Sequence, residues 1–268
     1  MEVQLLWAWA GGISAATPRA RTSASSSQMG LMDEVRRFHS HINSVPASPA
    51  VVTVVKPKVT VMDHPMVMEQ LTLVRDKRTT QVAFRKAIYR LGRFMAYEFL
   101  RTLEIDSFEV ETPLGPAKGG RVKGNDKIVI ILVLRASIPF VEGMYKNFPL
   151  ARTGVISAWR GKAPDFPIEV NYAKIPKIGA DDVVVIADPM LATGHTLREV
   201  ARRVAEVGKP KRLVFFSVIS TMQGIEYVAA EFPKAEFYTC AVDPALNEHG
   251  YIVPGLGDAG DRSFGAPH

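Results

Sequence analysis

The residues best suited to chemistry stand together between Val183 and Thr196. Five small apolar residues, Val183–Ala187, have the composition of a buried strand. An acid, Asp188, follows at the strand's C-terminal end. Next come Pro189, Met190 and Leu191, and then a turn of small and hydroxylated residues: Ala192, Thr193, Gly194, His195 and Thr196. An amphipathic helix begins near Leu197. This layout can grip a sugar phosphate. The amides of a small-residue loop and of a helix N-terminus attract an anion. Gly194 lets the backbone turn tightly, Thr193 and Thr196 supply hydroxyl donors, and Asp188 can accept hydrogen bonds from vicinal hydroxyls. The same pattern also describes an ordinary strand–turn–helix crossover with a threonine cap. It is not a Walker loop, since the Gly-x-x-x-x-Gly-Lys-Ser/Thr spacing is missing.

Two further groups of residues could act with it. Near the C-terminus, Asn247–Gly265 is rich in glycine, and it contains Ile252, Gly257, Asp258 and Ala259. Its run Gly255-Leu-Gly-Asp-Ala-Gly260 matches the Gly-x-Gly-x-x-Gly dinucleotide fingerprint. That fingerprint needs a preceding strand, a following helix and an acid about 20 residues further on; too few residues follow Gly260, so the match is rejected. An irregular segment with free backbone groups can read the alternating carbonyl and N–H edge of a small planar base, or it can be a simple tail. Arg135 follows the apolar run Val129–Leu134, where its forked donors can hold a pyrophosphate or cap the surface.

The wording of these segments is specific. Ala187-Asp-Pro-Met-Leu-Ala-Thr-Gly-His-Thr196 resembles the phosphoribosyl pyrophosphate (PRPP) loop of type I phosphoribosyltransferases. Its Asp-Pro-Met-Leu-Ala-Thr portion and the segment Asn247–Gly265 are similar to those of the uracil phosphoribosyltransferase family. Met62-Asp-His-Pro-Met-Val67, Leu71–Thr79, Met95–Glu98, Val110–Pro113 and Arg135-Ala-Ser137 extend the resemblance, in order, over about residues 59–265. Two departures stand out. His195 occupies a position where the family commonly has glycine; its backbone is either right- or left-handed helical, and its ring either adds a donor to the 5′-phosphate or, the favoured expectation, faces solvent. Ser137 replaces a glycine and is expected to be strained or to mark a different turn.

The resemblance implies transfer of phosphoribosyl from PRPP to uracil, giving UMP and pyrophosphate through an oxocarbenium-like transition state. It assigns Arg135 and Arg160, with Mg2+ carried by PRPP rather than by protein ligands, to the pyrophosphate. Asp188 and the loop Pro189–Thr196 go to the ribose phosphate, and Ile252, Gly257, Asp258 and Ala259 to uracil. Asp258 is also expected to orient PRPP and its metal, since Pro189 stands where related enzymes carry a second acid. The resemblance further implies a homodimer or homotetramer, activation by GTP and inhibition by CTP or UMP. A regulator that uses the same fold to bind nucleotide and RNA without turnover is the competing reading. The dispersed lysines and arginines argue against it, and neither nucleic acid nor membrane is expected as a partner.

Composition sets the frame. The chain has 268 residues, 47% hydrophobic and 22% charged, with a net charge of +6 that suits anionic small molecules. The single cysteine, Cys240, excludes an internal disulfide and fits a reducing, cytoplasmic setting. Residues 1–50 read as a disordered extension or an upstream start; the apolar stretch Leu5–Ile13 has no basic residue before it and is too short to span a bilayer. Residues 51–268 read as the catalytic domain. To position the loops, the pattern predicts a helix over Thr80–Leu103 and strands at Ile128–Leu134, Thr153–Ser157, Val183–Ala187, Leu213–Val218 and Glu236–Ala241. Helices are predicted at Ile138–Asn147, Leu197–Val207 and Met222–Phe232. Such alternation implies an α/β fold, a doubly wound, mainly parallel sheet. A hairpin arm over Arg160–Lys177 and the C-terminal base-binding segment are added to it.

Overall fold

The computed structural model describes residues 56–160 and 168–266. The expectations for residues 1–50, and for the tip of the hairpin arm, lie outside the described residues. The chain runs β1 (Lys58–Val61), α1 (Pro65–Arg75), α2 (Gln81–Leu100), β2 (Ile105–Thr112), β3 (Gly115–Val122), β4 (Ile128–Leu134), α3 (Ile138–Met144), β5 (Arg152–Arg160), β6 (Ile168–Lys174), β7 (Val183–Ala187), β8 (Met190–Leu191), α4 (His195–Val207), β9 (Arg212–Thr221), α5 (Met222–Ala229), β10 (Glu236–Asp243), β11 (Ala245–Leu246), β12 (Ile252–Val253) and α6 (Ala259–Phe264).

The central sheet has the order β1-β10-β9-β7-β4-β5-β6, with β8 added beside β9. Every pairing is parallel except β5 with β6, which form the expected hairpin arm. Strand residues alternate between faces, and both faces are apolar because both are covered. Val183, Val185 and Ala187 of β7 face one core, with Phe84, Leu91 and Phe99 of α2. Val184 and Ile186 face the other, with Leu197, Val200 and Val204 of α4. This is why the strand reads as an unbroken apolar run rather than an alternating one.

On the first face, Phe99 packs edge-on against Phe148, Phe216 and Tyr238, with ring centroids 5.5–6.2 Å apart. There α2 and α3 meet backbone to backbone. A Cβ on Gly143 would lie 1.9 Å from the Tyr89 carbonyl oxygen, and one on Gly92 would lie 2.0 Å from that of Phe140. Cys240 is buried in β10, and burial pushes its thiol up to about 12. Among the described residues, no helix is long and apolar enough to cross a membrane.

The two-stranded ribbon β2–β3 was not among the expected elements. It carries Gly115, Gly119 and Gly120, and most of its residues are exposed on both faces, so it has no apolar alternation to betray it.

Candidate active site

The C-terminal ends of β4 and β7 open onto a cavity of about 220 Å3. Its wall contains Asp188, Met190, Leu191, Ala192, Thr193, Gly194 and Thr196 from the loop after β7, together with Ile252, Gly257, Asp258 and Ala259 from the C-terminal segment. The two candidate segments, far apart in sequence, therefore share one cleft. This is the crevice at strand ends where open α/β sheets hold ligands.

The loop is more ordered than its sequence suggested. Met190 and Leu191 form β8, parallel to Ile219 and Ser220. Pro189 is buried behind the cavity wall, and its carbonyl accepts hydrogen bonds from the amides of Val218 and Ile219. Gly194 has φ +82° and caps α4, which begins at His195, two residues earlier than the sequence pattern predicted. The loop lies directly on the start of α5. A Cβ on Gly224 would stand 2.1 Å from the Ala192 carbonyl oxygen. Thr221 Oγ1 donates to that same oxygen at 2.7 Å and accepts from the Gly224 amide at 3.0 Å. With Ala192 tied back in this way, the loop is held on the side away from the cavity.

Asp188 Oδ1 accepts a hydrogen bond from the Met190 amide at 3.1 Å. The residue keeps some surface toward the cavity, but protein crowds its carboxyl. Burial pushes its pKa up to about 7; the Met190 bond opposes the shift and the charge of Asp258 adds to it. Asp258 caps α6, accepting from the Asp261 amide at 2.8 Å.

Arg135 is at the rim, close to Gly260 of the cavity wall. The Arg135 guanidinium pairs with Asp261 at 3.1 Å, both side chains half-exposed, and the neighbouring Ala136 lines the cavity. Arg160 ends β5, and its side chain lies outside the described residues. Ser137 has ordinary helical angles, φ −79° and ψ −8°, and is not strained; its buried hydroxyl donates to the Val133 carbonyl at 2.5 Å. The expected solvent-facing His195 is also corrected. Its ring packs on Tyr227, with centroids 4.3 Å apart, and Nδ1 lies 2.9 Å from Thr193 Oγ1. As the first residue of α4, His195 sits in the helix and is not part of the cavity wall.

Comparison with known proteins decides the family. The profile described as uracil phosphoribosyltransferase matches residues 61–266. The chain belongs to the uracil phosphoribosyltransferase family. The uracil phosphoribosyltransferase of Thermococcus gammatolerans is 53% identical over 205 residues, covering 76% of this chain and 92% of the relative. That of Pyrococcus furiosus is 49% identical, covering 76% and 88%. Among solved structures, the AQ2163 protein from Aquifex aeolicus superposes with a TM-score of 0.71 at 30% identity, covering 77% of this chain and 98% of that one. The family match runs from Val61, the last residue of β1, through α6 to residue 266, where the described residues end.

Sequence reasoning missed several residues that shape the site. Thr221 and Gly224 could have been suspected from the Thr-Met-Gln-Gly run, which has the form of a helix cap. Arg75, Asp243 and Arg262 gave no local signal, because Arg75 and Asp243 pair with each other far apart in the chain and because all three bind backbone groups outside their own elements.

Proposed function

We propose that this protein is an enzyme that transfers the phosphoribosyl group of PRPP to uracil, forming UMP and pyrophosphate. The observation that carries this reading is the single cavity shared by the loop after β7 and the C-terminal segment. The amides at the α4 N-terminus and the hydroxyls of Thr193 and Thr196 receive the 5-phosphate. Asp188, as its carboxylate, accepts hydrogen bonds from the ribose hydroxyls. Ile252 and the backbone of Gly257, Asp258 and Ala259 read the pyrimidine edge.

The reaction breaks the bond from the anomeric carbon to a pyrophosphate oxygen and forms one to uracil N1. Charge therefore leaves with pyrophosphate, and Arg135 and Arg160 are assigned to it. Arg135 can exchange its exposed pairing with Asp261, worth about 0–1 kcal/mol, for a polyanion. The bound base and ribose are held in line, and positioning of this kind lowers the barrier without a strong general base. The N1 proton leaves to water or to a pyrophosphate oxygen.

Mg2+ fits this donor set. Two carboxylates, Asp188 and Asp258, face one cavity, and among the described residues no group of three or more acids, histidines or cysteines gathers to hold a metal. A cation bound mainly through substrate phosphates needs no more than one or two protein oxygens. When bound, it neutralises charge on the pyrophosphate. Residues 51–268 form the catalytic domain in this reading. A cytoplasmic location, a homodimer or homotetramer, GTP activation and inhibition by CTP or UMP accompany it as expectations of the family likeness.

Incubation with labelled uracil, PRPP and Mg2+ tests the proposal. It expects UMP and pyrophosphate in equal amounts. Tight nucleotide or RNA binding without turnover would instead favour the regulator.

A further inference from the structure

The C-terminal segment that reaches the cavity is tied to a distant helix end. Arg75, the last residue of α1, forms a forked pair with Asp243, the last residue of β10. Nη2 lies 2.6 Å from Oδ1 and Nη1 lies 2.8 Å from Oδ2. Both atoms of the second contact also hold Gly255: Arg75 Nη1 donates to its carbonyl at 2.9 Å, and its amide donates to Asp243 Oδ2 at 2.8 Å. A single glycine thus has both backbone groups fixed by one ion pair. Gly255 needs that hold in a turn that excludes a side chain, with φ +62° and a would-be Cβ 2.1 Å from the Ile252 carbonyl oxygen.

The next residue is fixed as well. Arg262 Nη1 donates to the Leu256 carbonyl at 2.7 Å and to the Val74 carbonyl, while Nη2 donates to the Asp76 carbonyl at 2.7 Å. Its guanidinium stacks 4.3 Å from the Phe84 ring centroid. The ties therefore pin residues 255 and 256, immediately before Gly257, Asp258 and Ala259 in the cavity wall.

The Asp243 side chain is 5% exposed and that of Arg75 26%. Burial alone would push the Asp243 carboxyl up; the bonds from Arg75 and Gly255 outweigh it and hold the group below the usual carboxylate range. A forked, largely desolvated pair of this kind fixes geometry more narrowly than a surface pair does.

We infer that the Arg75–Asp243 pair is a positioning clamp for uracil: by holding Gly255 it sets the backbone that reads the base, and it contributes little to PRPP binding. This deepens the reading of the C-terminal segment as the base site and rests on it. Arg75 and Asp243 are positioning residues; they do not line the cavity.

The molecule supplies its own control. Asp182, buried just before β7, has the same kind of environment: Arg152 Nη2 at 2.5 Å and the Gly179 amide at 2.6 Å. It stands at the opposite end of β7 from the cavity. A purely structural role for Arg75–Asp243 predicts that the two pairs respond alike.

The experiment measures KM for uracil, kcat, the Kd of PRPP and thermal stability for Arg75→Lys, Asp243→Asn, Asp182→Asn and the cavity-wall variant Ala259→Val. The expected result is a rise in uracil KM of about tenfold or more for Arg75→Lys and Asp243→Asn, the scale of effect that small misplacement produces. PRPP Kd should stay within about twofold, and Asp182→Asn should lower stability without moving uracil KM. If Asp243→Asn does not fold, Arg75→Lys, which keeps the charge but loses the fork, decides the outcome. Unchanged uracil KM in the clamp variants, with a raised value in Ala259→Val, would overturn the clamp and leave the base site standing. Equal shifts in uracil KM and PRPP Kd would also overturn it. No effect of Ala259→Val would remove the base-site reading and the clamp with it.

Discussion

Asp188 and Asp258, from segments far apart in the chain, line one cavity, and the negative charge of Asp258 adds to the burial that keeps the proton on Asp188. Burial first, and then the charge of Asp258, push the Asp188 carboxyl up to about 7 from the usual 3.8. If the carboxylate holds ribose, kcat/KM for PRPP rises with pH through about 7 and levels above it. Asp258→Asn removes one of the causes and should move that inflection to lower pH. A pH profile of both proteins checks this; an unmoved inflection would separate the two acids.

The same proton makes a stability prediction of definite sign. A carboxyl whose folded-state pKa is raised contributes stability that is fully present below about pH 4 and is lost as pH rises through about 7. Asp188→Asn should therefore flatten this part of the stability curve and stabilise the ligand-free protein at pH 8 by on the order of 1–3 kcal/mol. The same variant should lose about 100-fold or more in turnover, because the ribose hydroxyls lose a charged acceptor. Denaturant unfolding at pH 4 and pH 8, beside the rate assay, tests both halves.

Gly224 never touches substrate in this account, yet its substitution should weaken PRPP binding. Gly224→Ala drives a methyl into the Ala192 carbonyl oxygen and shifts the phosphate loop. PRPP Kd should rise by about tenfold, with a stability loss of about 1–3 kcal/mol. Thr221→Ala, which removes the α5 cap and the donor to Ala192, should cost about 1 kcal/mol. Calorimetry with PRPP reads the first effect and thermal unfolding the others.

Phe99 joins α2 to β9 and β10 through edge-on contacts with Phe216 and Tyr238, and to the segment after α3 through Phe148. Phe99→Ala should destabilise the fold by about 3–5 kcal/mol while leaving KM for both substrates near normal in the protein that remains folded. Altered KM would mean that the core on this face is coupled to the cavity more closely than the contacts suggest.

Much of the architecture was legible because it rests on local pattern. The runs Val129–Leu134 and Val183–Ala187 are apolar at every residue, and such runs belong to strands covered on both faces. Asp188, Thr193 and Gly194 could be recognised because their chemistry is compressed into one loop. What stayed hidden is long-range. Arg75 gives its bonds to Asp243 and Gly255, and Arg262 to Val74, Leu256 and Asp76; no spacing in the chain announces an arginine that serves a distant carbonyl. His195 was misread for the same reason, since its ring rests on Tyr227 of α5. The ribbon β2–β3 escaped because strands solvated on both faces carry no apolar period.

The central claim is that one cleft joins a PRPP loop to a uracil reader, and a base panel tests it most directly. With PRPP and Mg2+ at saturation, uracil, orotate, hypoxanthine and adenine are each offered to the full chain, and nucleotide formation is measured. The account predicts UMP from uracil and little product from the other three. Turnover of a purine or of orotate in preference to uracil, or none with any base, would contradict it.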